Sequence, residues 1–274
     1  MTLKVRFQQL LAKYFPWLKK LLTRIEYNYI SNLDKKGQLL FMNYGYAGAV
    51  SAEMPTQLLP EHEEHRYQVQ LYHHVAKTVN WNNADVLEVG SGRGGGSSYL
   101  FQSFQPRSFV GVDISEQAVD FCQRNYSIPK LSFEHGNAEE MRFADRSFDI
   151  LINVESSLYY PRVESFLSEV VRVLKPSGYF LYADIRYVEE VETWKRQLRR
   201  LNLNLIKEED ITPNVVQALD LDYERKRNLI SRHIPGPLRG AFHHFAGTSG
   251  GGFYRGTPKS GQRMYLHYVF QKPA

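Results

Sequence analysis

The sequence of 274 residues contains one cysteine and no long apolar run. The single cysteine, Cys122, excludes a disulfide framework and every cysteine-rich zinc or iron–sulfur site. No apolar run approaches the roughly 20 residues that a membrane-spanning helix needs. Lys13, Lys19 and Lys20 interrupt the stretch that would have to form the apolar region of a signal peptide. These absences predict a reduced, soluble, cytoplasmic protein.

Acidic residues are scarce at the start of the chain, where residues 1–27 carry six basic side chains and one acidic side chain. The rest of the chain is nearly balanced in charge, which argues against a nucleic-acid groove along its body. Apolar residues recur at intervals of three and four over 3–30, and Pro16 divides this amphipathic segment into two helices. Three interpretations remain open for the segment: a helix packed on the body, a lid over an apolar substrate, or weak contact with a membrane surface.

From residue 85 onward, short apolar segments alternate with helical ones. This pattern predicts an α/β fold with a seven-stranded, doubly wound Rossmann-like sheet over 81–274. The predicted strands are 86–89, 109–113, 131–133, 148–154, 179–185, 203–206 and 264–270. Residues 1–80, with a predicted helix over 61–79, are expected to form a helical lid. A late insertion at about 213–261 is expected to form a cap.

The first predicted strand runs directly into Gly90-Ser91-Gly92-Arg93-Gly94 and then into a helix. Such a turn brings backbone N–H groups and a helix N-terminus to the carboxyl edge of the sheet, where ligands bind. Glu88 places a carboxylate near this loop, and Asp113 at the end of the second strand can accept hydrogen bonds from two ribose hydroxyls. Gly90, Gly92 and Gly95 also satisfy G-x-G-x-x-G, so a nicotinamide or flavin site is an alternative.

Five stretches in order resemble the class I S-adenosylmethionine-dependent methyltransferases: 86–94, 111–115, 135–140, 147–151 and 169–179. A narrower similarity is to small-molecule O-methyltransferases that act on phthiotriol-type lipids and other polyketides. It rests on Gly94-Gly95-Gly96, on 153–157 and on 180–184. Residues 43–46 also resemble the aromatic motif that covers the cofactor in tocopherol and sterol methyltransferases.

The resemblance implies S-adenosylmethionine as the cofactor and a set of contacts to it. The 90–94 loop would lie along the methionyl part, Asp113 would hold the ribose, and residues 153–155 would flank the sulfonium end. Tyr44 would either close over the methyl donor or pack under the cap. The full set of expected cofactor contacts is Tyr44, Glu88, Gly90, Ser91, Gly92, Arg93, Gly94, Asp113, Ile114, Asn137, Ala138, Glu139, Asn153, Val154 and Glu155.

Methyl transfer needs alignment of the reactants and exclusion of water, and a hydroxyl acceptor benefits from a general base. Related enzymes often carry histidine after the fourth strand, where this chain has Leu158 and Tyr159. The base therefore stays open among Glu155, Asp184, His243 and His244. Expected substrate contacts are Tyr46, Tyr159, Tyr160, His243 and His244.

The histidine pairs His62/His65 and His73/His74 have helical spacing, but no second ligand cluster is evident in the sequence, so no metal site is predicted. The sequence predicts methylation of a hydroxyl on a largely apolar small molecule, such as a polyketide, a lipid or another secondary metabolite. N- or C-methylation, an oxidoreductase and a cofactor-binding protein without a base remain alternatives.

Overall fold

The structure is a computed structural model that describes residues 40–48, 58, 60–236, 239–240, 243 and 263–274. The predictions for the amphipathic segment 3–30, for His244 and for most of the late insertion beyond 236 lie outside these residues. Within the described part of the chain, no helix has both the length and the apolar character needed to cross a bilayer.

The helices and strands follow one another along the chain. They are α1 (Pro60–Glu63), α2 (Arg66–Ala76), β1 (Asp85–Val89), α3 (Gly95–Phe104), β2 (Ser108–Asp113), α4 (Glu116–Asn125), β3 (Leu131–His135), β4 (Phe148–Val154), α5 (Val163–Val173), β5 (Leu174–Tyr187), α6 (Val188–Arg199), β6 (Asn204–Asp210), α7 (Thr212–Leu221), α8 (Tyr223–His233) and β7 (Arg263–Gln271). A short 3-10 helix, Ser157–Tyr159, follows β4.

These strands form one sheet in the order β3-β2-β1-β4-β5-β7-β6. The strands from β1 to β5 pair in parallel, and β7 runs antiparallel between β5 and β6. The chain winds outward in one direction from β1 to β3 and in the other from β4 onward. The change of direction between β1 and β4 creates a crevice at the carboxyl ends of the strands, where ligands of open α/β folds bind.

Helices cover both faces of the sheet, which explains why β4 is apolar on both sides. On one face, α2, α3, α4 and α7 bury residues such as Leu71, Leu100 and Val215. On the other face, α5 and α6 bury Phe166 and Trp194. Because α2 lies in the main core, this part of the predicted 1–80 unit packs against the sheet.

The predicted α/β class and seven-stranded sheet are confirmed, and each predicted strand overlaps an observed one. The predicted single helix over 61–79 is wrong, because the chain turns at residues 64–65 between α1 and α2. This turn places the His65 ring against Phe41, with ring centroids 5.2 Å apart. Strand β5 also begins earlier than predicted, because the chain passes from Val173 directly into the strand.

Candidate active site

The turn after β1 carries backbone amides to the carboxyl edge of the sheet. Gly90, Gly92 and Gly94 have φ values of 81°, 53° and 76°, a region that favours glycine. A Cβ atom at Gly90 would collide with the side chain of Ser156, so the turn lies directly against the segment after β4. Helix α3 begins at Gly95, and its N-terminus therefore faces the same crevice.

Asp113 ends β2, and two backbone N–H groups orient its carboxylate. Gly92 donates to Oδ2 at 2.9 Å, and Ser115 donates to Oδ1 at 2.8 Å. Burial raises the pKa of Asp113, and these two donors oppose the rise. Each carboxylate oxygen keeps a further lone pair, so Asp113 can still accept hydrogen bonds from a ligand.

A cavity of about 1260 Å³, including solvent at its mouth, opens at this edge of the sheet. Its lining forms two groups, which we name after their predicted ligands. The cofactor half consists of residues that follow β1, β2 and β3: 90–93, 113–114 and 136–139. The acceptor half consists of residues 154–156 and 158–161 after β4, together with Ile185 and Arg263. Residues 40–44 line the cavity as well.

The cofactor half fits the chemistry of an adenine nucleoside. Asp113 offers carboxylate oxygens to ribose hydroxyls, and Ile114 and Ala138 supply apolar surface. The Ser91 hydroxyl is buried, and no other described residue forms a hydrogen bond with it. A buried hydroxyl without a protein partner, on the wall of a cavity, is suited to a polar ligand group.

Most of the expected cofactor contacts meet at this cavity. They are Tyr44, Gly90, Ser91, Gly92, Arg93, Asp113, Ile114, Asn137, Ala138, Glu139, Val154 and Glu155. The carboxylate of Glu139 also accepts a hydrogen bond from the backbone N–H of Arg162 at 2.6 Å. The local order of strand, turn and helix brings the residues after β1, β2 and β3 together, whereas Tyr44 reaches the cavity through a long-range contact with Glu155.

Three expected contacts, Glu88, Gly94 and Asn153, do not belong to the cavity lining. Glu88 is fully buried and accepts hydrogen bonds from the Tyr72 hydroxyl at 2.7 Å and from the Ser97 hydroxyl. Burial raises its pKa to about 7. Gly94 packs beside aromatic side chains, and the Asn153 amide donates to the carbonyl of Val89 at 2.7 Å. In this structure they support the turn from within the protein.

Glu155 directly follows β4 and has a φ of 48°, which is uncommon for a residue other than glycine. Its Oε1 accepts hydrogen bonds from the Tyr44 backbone N–H at 2.7 Å and from the Tyr265 hydroxyl at 2.8 Å. None of the described residues donates to Oε2. Burial raises the pKa of Glu155 to about 8. A carboxylate of this kind at a cavity can accept a proton near neutral pH.

Tyr44 is the last residue of the 40–44 segment that lines the cavity. Its carbonyl accepts a hydrogen bond from Lys226 Nζ at 3.2 Å, and this ammonium lies 5.8 Å from the Tyr44 ring centroid. Burial lowers the pKa of Lys226 to about 8 and raises that of Tyr44. Tyr46, an expected substrate contact, is instead outside the lining and stacks on His74 with ring centroids 4.2 Å apart.

Asp184 is not part of the cavity lining. Its Oδ2 accepts hydrogen bonds from the Ser157 hydroxyl at 2.7 Å and the Leu158 N–H at 3.0 Å, and Arg186 lies 3.3 Å away. The side chain is fully buried, so it positions the segment after β4 from within the protein. His243 also lies outside the lining. Among the candidate bases that the structure describes, Glu155 is the one that lines the cavity.

The expected substrate contacts Tyr159 and Tyr160 line the acceptor half. The Tyr160 hydroxyl lies 2.6 Å from Ser156 Oγ and accepts a hydrogen bond from the Asn153 amide at 3.2 Å. Leu158, at the place where histidine was expected, adds apolar surface to the same wall.

Arg263, Tyr265 and Lys226 are site residues that the sequence analysis missed. Arg263 lines the cavity and donates to the Tyr187 hydroxyl at 3.0 Å. The Tyr265 hydroxyl donates to Glu155, and the Lys226 ammonium group donates to the Tyr44 carbonyl. Arg263 and Tyr265 reach the site because β7 pairs with β5, and Lys226 reaches it from helix α8. No local motif in the sequence marks these positions.

Residues 87–182 match a family described as a methyltransferase domain. Over 235 residues the chain is 35% identical to the phthiotriol/phenolphthiotriol dimycocerosates methyltransferase of Mycobacterium tuberculosis, with 86% of each chain covered. Over 216 residues it is 37% identical to the fatty-acid O-methyltransferase of Mycolicibacterium smegmatis, which covers 79% of this chain and 78% of that one.

The fold is shared with geranyl diphosphate C-methyltransferase of Streptomyces coelicolor, whose crystal structure contains S-adenosyl-L-homocysteine. The TM-score is 0.64 at 15% identity, with 91% of this chain and 97% of the other covered. The chain therefore belongs to the class I S-adenosylmethionine-dependent methyltransferases, with S-adenosylmethionine as cofactor. Within this class it is similar to enzymes named for phthiotriol-type lipids and for fatty acids. The interpretation of the glycine turn as a nicotinamide or flavin site is therefore wrong.

Proposed function

We propose that this methyltransferase acts on a hydroxyl group of a largely apolar small molecule, such as a lipid or a polyketide. The observation that carries the proposal is Glu155, a carboxylate at the acceptor half with one oxygen that no described residue engages. When bound, S-adenosylmethionine supplies an electrophilic methyl group on a sulfonium centre. A neutral hydroxyl must lose its proton as it becomes an ether, so a hydroxyl acceptor benefits from a proton acceptor beside it.

Glu155 has the properties that this role needs. The Tyr44 N–H and the Tyr265 hydroxyl fix Oε1, which leaves Oε2 to take the proton from the acceptor hydroxyl. Burial raises the pKa of Glu155 to about 8, so this carboxylate is a stronger base than an exposed glutamate. A base whose pKa lies near the working pH combines a useful ionised fraction with a strong tendency to bind the proton.

The walls of the acceptor half favour an apolar acceptor. Leu158, Ile185 and Tyr159 line this part of the cavity, and Tyr44 lines the cavity as well. Burial of apolar ligand surface contributes about 25 cal/mol per Å², so a long alkyl chain adds binding energy that a short one lacks. The names of the two relatives, which refer to phthiotriol dimycocerosates and to a fatty acid, support the same substrate class.

A carboxylate acceptor is the second candidate, and Arg263 is the observation that favours it. Arg263 lines the acceptor half and donates to the Tyr187 hydroxyl, and its positive charge there would favour an acidic head group. A carboxylate carries no proton at neutral pH, so its methylation would not require Glu155. The two candidates therefore differ in their dependence on this residue.

The test uses the purified full chain, S-adenosylmethionine and three acceptors with the same long alkyl chain: a diol, a fatty acid and a primary amine. Mass spectrometry identifies the product, and release of S-adenosylhomocysteine gives the rate. We expect a methyl ether from the diol, with a lower kcat/KM for a short-chain diol. A methyl ester as the main product would favour the carboxylate candidate, and a methylated amine would contradict both.

A further inference from the structure

A second group of titratable side chains lies outside the cavity lining: His74 on α2, Glu209 on β6 and His267 on β7. His74 Nε2 is 2.9 Å from Glu209 Oε2, and His267 Nδ1 is 3.3 Å from the same oxygen. One potential ligand atom from each residue lies within 4.8 Å of the others. The proposed methyl transfer uses none of them.

Regular secondary structure fixes this cluster. Glu209 and His267 are direct partners in the antiparallel pairing of β6 with β7, so their side chains share one face of the sheet. Helix α2 brings His74 to that face, with its ring 5.3 Å from the His267 ring. Tyr46 stacks on His74. Donors on two strands and a helix keep their spacing better than donors on loops.

The cluster is buried but reachable from solvent. The side chain of His267 is fully buried and that of His74 is 10% exposed, whereas that of Glu209 is 33% exposed. His267 Nε2 has no hydrogen-bond partner among the described residues. The nitrogen of His267 that faces Glu209 is Nδ1, and the partly exposed Glu209 carboxylate gives an ion from solvent a route to it.

The donor set matches a transition-metal ion. A tetrahedral ion with ligand bonds of about 2.0–2.2 Å keeps its donors roughly 3.3–3.6 Å apart. The separation of 3.3 Å between His267 and Glu209 fits this range, and the separation of 2.9 Å between His74 and Glu209 would have to widen slightly when an ion enters. Two imidazoles and one carboxylate suit Zn²⁺ and similar ions, whereas Mg²⁺ and Ca²⁺ prefer oxygen ligands.

We propose that His74, Glu209 and His267 bind one divalent transition-metal ion, with a fourth position open to water on the Glu209 side. Bound metal would join α2 to the β6–β7 edge and stabilise the fold rather than take part in methyl transfer. No metal site is predicted from the sequence because His74 stands far along the chain from Glu209 and His267, which lie on late strands.

The ammonium group of Lys207 lies beside the proposed metal site. Lys207 Nζ lies 2.8 Å from Glu209 Oε2, so the ammonium group now provides the positive charge that a metal ion would provide. The Lys207 side chain is 33% exposed and can turn toward water when an ion enters. Removing this ammonium should therefore increase metal affinity, because the ion no longer competes with it.

The experiment titrates the untagged full chain, stripped with a chelator, with Zn²⁺ and separately with Mg²⁺. Calorimetry and metal analysis give affinity and stoichiometry, and a melting curve gives stability. We expect one Zn²⁺ per chain, no Mg²⁺ binding, and a rise in Tm of roughly 5 °C at saturating Zn²⁺. Absence of stoichiometric Zn²⁺ binding would overturn the proposal.

Variants then locate the ion. Glu209→Gln and His267→Gln should weaken Zn²⁺ binding at least about tenfold, and Lys207→Met should strengthen it. His135→Gln, at an exposed histidine on β3, is the matched control and should bind Zn²⁺ like the unmodified chain. If His267→Gln fails to fold, the partly exposed Glu209 still decides the question. Unchanged Zn²⁺ affinity in Glu209→Gln would place the ion elsewhere and contradict the proposal.

Discussion

In the cofactor half of the cavity, residues from three consecutive strand ends meet, and backbone groups make the defining contacts. The Gly92 and Ser115 N–H groups hold Asp113, for example. In the acceptor half, side chains from distant parts of the chain meet at Glu155. Its two donors, Tyr44 and Tyr265, lie 111 and 110 residues away. The order of strands thus builds one half, and long-range packing builds the other.

The largest effect is expected for Glu155→Gln, which changes only the acceptor half. Glutamine can keep the hydrogen bonds at the carbonyl oxygen but cannot take a proton from the acceptor. Loss of a general base lowers rates typically about 10²–10⁴-fold, so kcat on a hydroxyl acceptor should fall in this range. Calorimetry should show an unchanged affinity for S-adenosylhomocysteine. Glu140→Gln, at an exposed carboxylate, is the control; full activity of Glu155→Gln would remove the base assignment.

Asp113→Ala is expected to change the cofactor half. Hydrogen bonds to a charged group are worth about 1.5–3 kcal/mol, so the affinity for S-adenosylhomocysteine should fall about tenfold to a hundredfold. The measurement is a calorimetric titration of the folded variant, with the exposed Asp120→Ala as control. An affinity equal to that of the unmodified protein would contradict the role given to Asp113.

The pH dependence tests the acceptor half without a mutation. Glu155 acts as a base only when ionised, and its pKa is raised to about 8. Below that pH, kcat/KM on a hydroxyl acceptor should therefore rise about tenfold per pH unit and then level off. A profile that stays flat over the pH range just below about 8 would contradict the assignment.

The same ionisation should appear in stability. A folded pKa above the ordinary value means that Glu155 contributes stability below pH about 4.5 and loses it as the pH rises through about 8. The Tm difference between Glu155→Gln and the unmodified protein should therefore shift in favour of the variant as the pH rises from acidic to alkaline values. An equal difference in Tm at both ends of the range would show that Glu155 does not titrate in this way.

The smallest effect is expected for Tyr265→Phe. Its hydroxyl stabilises the ionised form of Glu155, so removing it should raise the pKa of Glu155 and move the midpoint of the rate profile upward. The rate should drop several-fold at neutral pH and recover at alkaline pH, consistent with about 0.5–1.5 kcal/mol for one hydrogen bond. Tyr72→Phe, which removes a hydrogen bond to the buried Glu88 behind the cofactor half, should leave the midpoint unchanged.

The position of the cofactor half at one edge of the sheet follows from the sequence because that half depends on local order, while its contacts with S-adenosylmethionine stay a prediction. An apolar strand, a glycine turn and a carboxylate at the end of the next strand place Gly90, Gly92 and Asp113 together without any knowledge of distant contacts. Glu88 and Asn153 belong to the same pattern, but their side chains point into the protein and bond to it. The pattern alone does not reveal which way these side chains point.

The acceptor half is harder to predict, since its geometry depends on register and side-chain direction. Glu155 and Asp184 both follow from the rule that strand-end carboxylates lie near the site. Only Glu155 reaches the cavity, because Asp184 pairs with Arg186 inside the protein. Tyr265 lies opposite Ile185 in the sheet, and only the pairing of β7 with β5 shows that this position reaches Glu155.

The hydrogen bonds at Glu155 Oε1 have a consequence for the design of chimeric enzymes. Exchange of residues 148–187 alone with a relative would transplant the carboxylate but neither of its two donors. A functional exchange unit must also include residues 40–48 and 263–271, because these segments supply the Tyr44 N–H and the Tyr265 hydroxyl. The smallest portable acceptor module of this enzyme is therefore discontinuous in sequence, whereas its cofactor module, residues 85–139, is a single stretch.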